Sequence, residues 1–194
     1  MRAMRAQGFG GYQDLKLTDI PPPSLSEGRV LVRMTAAGVT PLDYTILSGQ
    51  YPMAKAPLVL GNEGAGIVEG GGTAEYPNGA RVMFTGPYGV LENGTWSELV
   101  AVQKEHLCIV PDNVGDAAAA GLPVAYLTAF LVLKAAGFQA GKIVLAPAIG
   151  GSVGNATTQL ARALGAKHGD FYDHQSRKGG RGQRTGLFRG DRPF

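Results

Sequence analysis

Alternating hydrophobic and polar residues predict that the first half of the chain is rich in β-strands. Residues 29–37 (RVLVRMTAA) alternate as expected for a strand with one buried face. Further short strands, separated by glycine- and proline-containing turns, are predicted within residues 56–72, 79–86, 94–103 and 106–112. Short strands at this spacing favour a small all-β barrel or sandwich over roughly residues 1–112.

The pattern changes near Asp112, where alanine and leucine become frequent. A short helix is predicted at 116–121, and a longer one at 124–136 begins after Pro123 and ends at Gly137. The apolar segment 140–147 (AGKIVLAP) then predicts a compact buried strand.

A third helix is predicted at 152–165, because Val153, Ala156, Leu160 and Leu164 recur at helical spacing. The order of helix, strand, glycine turn and helix is typical of the opening of a doubly wound α/β domain.

Small residues join the strand at 140–147 to this helix, with the spacing Ala148-x-x-Gly151-x-x-Gly154. A pyrophosphate can approach the unpaired N–H groups of a helix N-terminus only where no side chain blocks the backbone. Gly151 would permit that approach, and Gly154 would allow close packing of the helix on the strand. Ile149 replaces the first glycine of the common G-x-G-x-x-G pattern, so the spacing alone also fits a turn without a ligand.

Composition indicates a globular protein with a core, since 44% of its 194 residues are hydrophobic. No apolar run approaches the ~20 residues needed to span a bilayer, and the N-terminal segment lacks the apolar centre of a secretory signal. The single cysteine, Cys108, excludes an internal disulfide and favours a reducing cytoplasm. Its apolar surroundings predict an inert, buried thiol.

The net charge of +3 belongs to the last part of the chain. Residues 1–167 contain twelve basic and twelve acidic residues, whereas residues 168–194 contain six basic and three acidic residues and six glycines. The body is therefore not a nucleic-acid binder on charge grounds. The basic residues of the tail are too few, and too mixed with aspartates, to favour a nucleic-acid arm.

Four stretches of the sequence resemble the medium-chain dehydrogenase/reductase superfamily, and within it the zinc-free, zeta-crystallin-like quinone oxidoreductases. They are AAGVTPLDYTILSGQYP (36–52), PLVLGNEGAGIVEGGG (57–72), GLPVAYLTAFLVL (121–133) and APAIGGSVGNATTQLARALGAK (146–167). The resemblance implies a GroES-like β-barrel domain at 1–115 and the first part of a Rossmann-type dinucleotide-binding domain at 116–167. An atypical tail would follow at 168–194.

The resemblance also implies a chemistry, namely hydride transfer from NADPH, with NADH possible, to a quinone or conjugated enone. The zinc branch of the superfamily places a cysteine near the position of Thr40 and a histidine at the position of Asn62. No metal is therefore expected here, and none of the three histidines has zinc-ligand spacing. Full-length relatives are expected to form homodimers, and no membrane or nucleic-acid partner is expected.

Site residues follow from the resemblance position by position. Asp43 and Tyr44 are the candidate catalytic residues, although Asp43 also fits a helix cap and Tyr44 also fits simple packing. Glu63, in GNEGAG, is expected to be structural, as an acceptor for backbone donors of the barrel. Thr128 also fits a hydroxyl bonded to its own helix. The candidate cofactor-binding residues are Thr40, Thr128, Ala148, Gly150, Gly151, Ser152, Val153 and Gly154.

The segment after Lys167 does not look like the second parallel strand that such a domain needs, because it lacks an apolar run. The glycine–arginine composition there resembles a reading-frame slip, which would leave the family's pattern truncated near residue 167. We therefore expect exposed apolar stripes on both long helices and weak or absent NADPH binding by this chain. A non-catalytic fragment and a zinc-free alcohol dehydrogenase-like enzyme stay open as alternatives.

Overall fold

The chain folds into two units, the first spanning Met1–Val124 and the second beginning at Ala125. The computed structural model describes residues 1–147 and 150–172. Within the described residues, no helix is both long and apolar enough to cross a membrane.

A five-stranded antiparallel sheet forms the main body of the first unit, with the order β7-β3-β5-β6-β8. Its strands are β3 (Arg29–Ala37), β5 (Glu63–Gly70), β6 (Arg81–Thr85), β7 (Leu99–Gln103) and β8 (Leu107–Ile109). Alternation along β3 places Val30 and Val32 in the core against Phe84 and Val102. These strands confirm the β-rich first half that the sequence pattern predicts.

A smaller three-stranded antiparallel sheet has the order β2-β1-β4, and two of its strands were not predicted. It consists of β1 (Arg2–Ala6), β2 (Leu15–Asp19) and β4 (Leu58–Val59). The inward residues of β1 are the alanines Ala3 and Ala6, whose small side chains give little hydrophobic signal. Next to this sheet, Ile46 and Leu47 of the helix α1 (Pro41–Leu47) pack with Ala6 in a second hydrophobic core, separate from that of the large sheet.

Three glycines, Gly61, Gly89 and Gly94, let two loops of the first unit cross with their backbones in direct contact. A Cβ added at Gly94 would lie 2.6 Å from both the Cα and the N of Gly89 and would also meet the carbonyl oxygen of Gly61. The Thr95 N–H donates to that same carbonyl oxygen at 2.8 Å, and the Trp96 N–H donates to Leu60 O at 3.0 Å. This crossing fixes the segment that leads into β5.

The second unit contains one strand–helix–strand repeat. Before it, α2 (Asp116–Ala120) still belongs to the first unit and packs there on β3 and β5, and α3 (Pro123–Ala135) begins at the end of that unit. Next come β9 (Ile143–Pro147), α4 (Ser152–Ala163) and β10 (His168–Tyr172). β9 and β10 pair in parallel, so the helix between them is a crossover connection.

β10 corrects the expectation that no second parallel strand follows Lys167. His168 pairs with Ile143 and Tyr172 with Pro147, although the segment HGDFY carries no apolar run. Backbone hydrogen bonds to β9 suffice for this pairing, since every residue offers a donor and an acceptor regardless of its side chain. The rest of the atypical tail, from residue 173, lies outside the described residues.

Apolar side chains stand exposed on the second unit. In α3 they are Leu127, Phe130, Leu131 and Val132, and in β9 they are Ile143 and Leu145. The predicted apolar face of α4 is buried at Ala156 and partly buried at Leu160, where it packs on α3, but Val153 and Leu164 at its ends are exposed. The expectation of exposed apolar stripes is therefore confirmed for α3.

Replacement of Gly94 by alanine should destabilise the first unit by about 2 kcal/mol, because its Cβ would meet backbone atoms that cannot move aside. Gly121→Ala is the matched control, since its Cβ would come no closer than 3.9 Å to any atom. Chemical denaturation of both variants measures the difference. Equal stability of the two variants would refute the crossing of these loops.

Candidate functional site

The buried polar side chains of the first unit, apart from two core tyrosines, gather in one place. They are Thr40, Asp43, Asn62, Glu63 and Thr95, each at most 8% exposed, and we call them the buried polar cluster. Burying polar groups costs free energy unless they are hydrogen-bonded. A concentration of them at one end of β5 therefore marks this region as the candidate site of the first unit.

Asp43 is the centre of the cluster, and its carboxylate accepts three hydrogen bonds. Oδ2 accepts from the N–H of Thr40 at 2.7 Å and from its hydroxyl at 2.9 Å, while Oδ1 accepts from the N–H of Gly61 at 2.9 Å. Thr40 is the N-cap residue of α1, so Asp43 closes the start of its own helix. The structure thus places Asp43 as a structural anchor, and its candidate catalytic role stays a prediction.

Glu63 accepts a hydrogen bond from the N–H of Val124 at 2.8 Å, in the first turn of α3. The predicted structural role therefore involves a helix rather than the backbone of the sheet. Burial raises the pKa of the Glu63 carboxyl, the bond from Val124 lowers it, and the nearby Asp43 carboxylate raises it. The net effect raises the pKa, so the Glu63 carboxyl holds its proton more tightly than an exposed glutamic acid does.

Thr95 and Asn62 complete the cluster. The Thr95 hydroxyl donates to the backbone carbonyl oxygen of Glu63 at 2.8 Å. The backbone carbonyl oxygen of Asn62 accepts a hydrogen bond from the Thr85 hydroxyl at 2.8 Å. The side-chain oxygen of Asn62 is buried and has no partner within the described residues. Thr95 and the neighbouring Trp96 also line a shallow cavity of about 400 Å³ on the first unit.

Tyr44 lies beside the cluster in sequence but points to the surface. Its ring is 52% exposed and packs against Tyr12, with 5.7 Å between the ring centroids. Thr128 is exposed on α3 and, within the described residues, does not form the bond to its own helix that Thr157 and Thr158 form in α4. Neither placement tests the predicted roles of these two residues.

The start of α4 lies where the glycine spacing predicts a helix N-terminus, and the predicted binding role of these residues stays a prediction. Gly151 is the N-cap residue in an extended conformation, and no side chain of the described residues caps the helix. A Cβ added at Gly150 would meet no atom of the described residues within 4 Å. Ser152, Val153 and Gly154 form the first turn of α4. Ala148 lies outside the described residues.

The thiol of Cys108 is exposed, which corrects the predicted burial. β8 is an edge strand of three residues, and Leu107 takes the inward position, so Cys108 faces outward. Among the described residues, no three His, Cys, Asp or Glu side chains are arranged to hold a metal ion. His106 instead lies 2.9 Å from the hydroxyl of the buried Tyr88.

Sequence reasoning missed Asn62 and Thr95 as members of the site. The sequence drew attention to Asn62 only because the zinc branch has a histidine ligand at that position, and Thr95 lies in no recognised motif. A pair of polar residues between glycines where a buried strand begins, as in GNEGAG, is the signal that could have identified Asn62.

Comparison with known proteins agrees with this geometry. Residues 26–112 match the alcohol dehydrogenase GroES-like domain. The chain is 34% identical over 168 residues to the human synaptic vesicle membrane protein VAT-1 homolog-like, covering 84% of this chain and 39% of that protein. It is 34% identical over 172 residues to rat quinone oxidoreductase, covering 86% of this chain and 51% of that protein.

A solved structure with the same fold is the quinone oxidoreductase of Thermus thermophilus, which was also determined in complex with NADPH. The TM-score is 0.74 at 33% identity, over 89% of this chain and 52% of that chain. The chain therefore spans about two fifths to one half of the length of these relatives.

Asp43→Ala should lower the free energy of unfolding by about 3 kcal/mol, because the buried N–H groups of Thr40 and Gly61 would lose their acceptor. Asp112→Ala, at an exposed position, should change it by less than about 0.5 kcal/mol. Urea denaturation of both variants gives the comparison. A loss for Asp43→Ala no larger than that of the control would contradict the anchoring role.

Glu63 should make stability depend on pH. Because its pKa is raised in the folded state, the stability it contributes is complete below its unfolded pKa and is lost as the pH rises through its folded pKa. Glu63→Gln keeps an oxygen acceptor for Val124 without the charge, so the variant should gain stability relative to the native chain as the pH rises.

Melting temperatures measured from mildly acidic to neutral pH test this dependence. The exposed Glu27→Gln should follow the native chain throughout. A native chain and a Glu63→Gln variant with parallel pH profiles would show that the carboxyl group does not titrate in this way.

Proposed function

We propose that this protein is a zinc-independent NAD(P)H-dependent reductase of quinones or conjugated enones, in the medium-chain dehydrogenase/reductase superfamily. The proposal is supported by the match of residues 26–112 to the alcohol dehydrogenase GroES-like domain and by the similarity of the chain to quinone oxidoreductases. In this proposal residues 1–115 are the catalytic domain and 116–167 begin the cofactor domain. NADPH is the preferred cofactor, and the cytoplasm is the proposed location.

The observation that carries the proposal is the start of α4. The helix follows the carboxyl end of a parallel strand, its N-cap is Gly151, and no described residue lies within 4 Å of a Cβ added at Gly150. Backbone N–H groups at such a helix start, together with the helix dipole, suit a diphosphate. Ser152 keeps its backbone N–H group and adds a hydroxyl at the first helical position.

When bound, the reduced nicotinamide supplies a hydride, which together with a proton from solvent reduces a quinone to a hydroquinone. The residues of this chain would bind and orient the reactants. Thr40 and Asn62 offer neutral hydrogen-bonding groups, while Asp43 fixes both in place through Thr40 and Gly61. Tyr44 is the candidate exposed side chain beside the acceptor.

Zinc-independence is supported by the residue types rather than by the absence of an ion. Thr40 and Asn62 are poor zinc ligands, because structural and catalytic zinc sites use thiolate, imidazole and carboxylate groups. A quinone or enone spreads developing negative charge by conjugation, so hydrogen bonds can stabilise it without a Lewis acid.

A second candidate function is a non-catalytic interaction module. The exposed apolar side chains of α3 favour it, because such surfaces commonly bind a protein partner. Purified chain incubated with NADPH and either menadione or methyl vinyl ketone separates the two candidates. Quinone- or enone-dependent loss of NADPH absorbance supports the reductase, and no loss above the protein-free control excludes it.

NADPH binding by this chain is expected to be weak, and Ser152→Asp should weaken it about tenfold further, because a carboxylate at the first position of α4 would repel the diphosphate. The same change should leave the melting temperature unchanged or higher, since acidic residues stabilise helix N-termini. Heteronuclear NMR titration with NADPH and NADH gives both affinities, even when binding is weak.

Gln159→Glu is the control for this prediction, because it adds the same charge at an exposed position further along α4. It should bind NADPH as the native chain does. If Ser152→Asp also binds NADPH unchanged, the diphosphate does not lie at this helix.

A further inference from the structure

Asn62 carries the only buried side-chain oxygen of the buried polar cluster that lacks a hydrogen-bond partner within the described residues. Thr40, Asp43, Glu63 and Thr95 each form at least one hydrogen bond. A buried carbonyl oxygen without a donor costs the full free energy of its lost hydration. An oxygen held in this state gains free energy from any donor that reaches it, and because it is enclosed a ligand must displace the protein atoms that cover it.

The backbone on both sides of Asn62 is held firmly. The N–H of Gly61 donates to Asp43 at 2.9 Å, and the carbonyl oxygen of Glu63 accepts from Thr95 at 2.8 Å. The carbonyl oxygen of Asn62 itself accepts from Thr85 at 2.8 Å. Asn62 is therefore fixed in a rigid segment, so its unpaired oxygen does not reflect a loose loop. A rigid polar group of this kind is preorganised for recognition.

We propose that the side-chain oxygen of Asn62 accepts a hydrogen bond from a ligand of the first unit, and that this ligand is a flat ring bearing a neutral O–H or N–H donor. The carboxylates of Asp43 and Glu63 nearby disfavour an anionic ligand. An oxygen acceptor offers nothing to the carbonyl groups of an oxidised quinone, which also only accept.

The proposal rests on the proposed function for the identity of the ring, and that function supplies two rings with donors. One is nicotinamide, whose carboxamide carries two N–H groups. The other is the reduced acceptor, whose hydroxyl groups appear when a quinone becomes a hydroquinone. In the second case Asn62 would make the first unit favour the reduced acceptor over the oxidised one.

Matched ligand pairs test the proposal on the native chain without any substitution. Nicotinamide is compared with acetylpyridine, in which a methyl group replaces the amide nitrogen. Dihydroxynaphthalene, kept reduced under anaerobic conditions, is compared with dimethoxynaphthalene. Heteronuclear NMR follows the affinity and the side-chain amide signal of Asn62. We expect the donor-bearing member of at least one pair to bind at least tenfold more tightly and to shift that signal.

Asn62→Leu provides the second arm, with the exposed Asn113→Leu as its control. Loss of the unpaired oxygen should raise the melting temperature of the ligand-free protein and should abolish the preference for the donor-bearing ligand. The control should do neither. A melting temperature that falls in Asn62→Leu, with the ligand preference unchanged, would mean that a bound water satisfies the oxygen and would overturn the proposal.

The outcomes separate this inference from the proposed function. Preference within the nicotinamide pair identifies the carboxamide as the donor, and preference within the naphthalene pair identifies the acceptor. Equal binding within both pairs overturns the inference, even if the chain oxidises NADPH with menadione. Donor preference without any NADPH oxidation supports Asn62 as a ligand-binding residue and overturns the reductase.

Discussion

Three hydrogen bonds to the buried carboxylate of Asp43 join the start of α1 to the turn at Gly61. The same turn lies against Thr95 and Trp96 through the close crossing at Gly94. A charged group with three donors is stable in the interior, where an unpaired one would not be. The geometry of Asn62 and Glu63, which follow Gly61 directly, depends on this anchor.

The sequence pattern could predict elements whose buried residues are large or regularly spaced. The strand at 29–37, the helix at 124–136 and the helix after the glycine turn are found within one to two residues. The pattern missed β1, whose inward residues are alanines, and β10, whose pairing rests on backbone hydrogen bonds. It also misplaced Cys108, because the exposure of an edge strand depends on neighbours distant in sequence.

The candidate site was partly predictable for the same reason. Glycine spacing predicted where α4 begins, because the constraint there is local in the chain. The contacts of Asp43 with Gly61 and of Glu63 with Val124 join residues 18 and 61 positions apart, which no local pattern reveals. In the proposed reductase, the cofactor-binding part is therefore visible in a local motif, whereas the buried polar cluster of the first unit is visible only in the folded structure.

A crystal structure of the chain grown with saturating NADPH shows most directly whether the diphosphate binds at α4. We expect its oxygens within hydrogen-bond distance of the backbone N–H groups of Ser152, Val153 and Gly154. A diphosphate bound elsewhere on the chain, or side chains packed over those N–H groups, would contradict the assignment of this protein as a nicotinamide-dependent reductase.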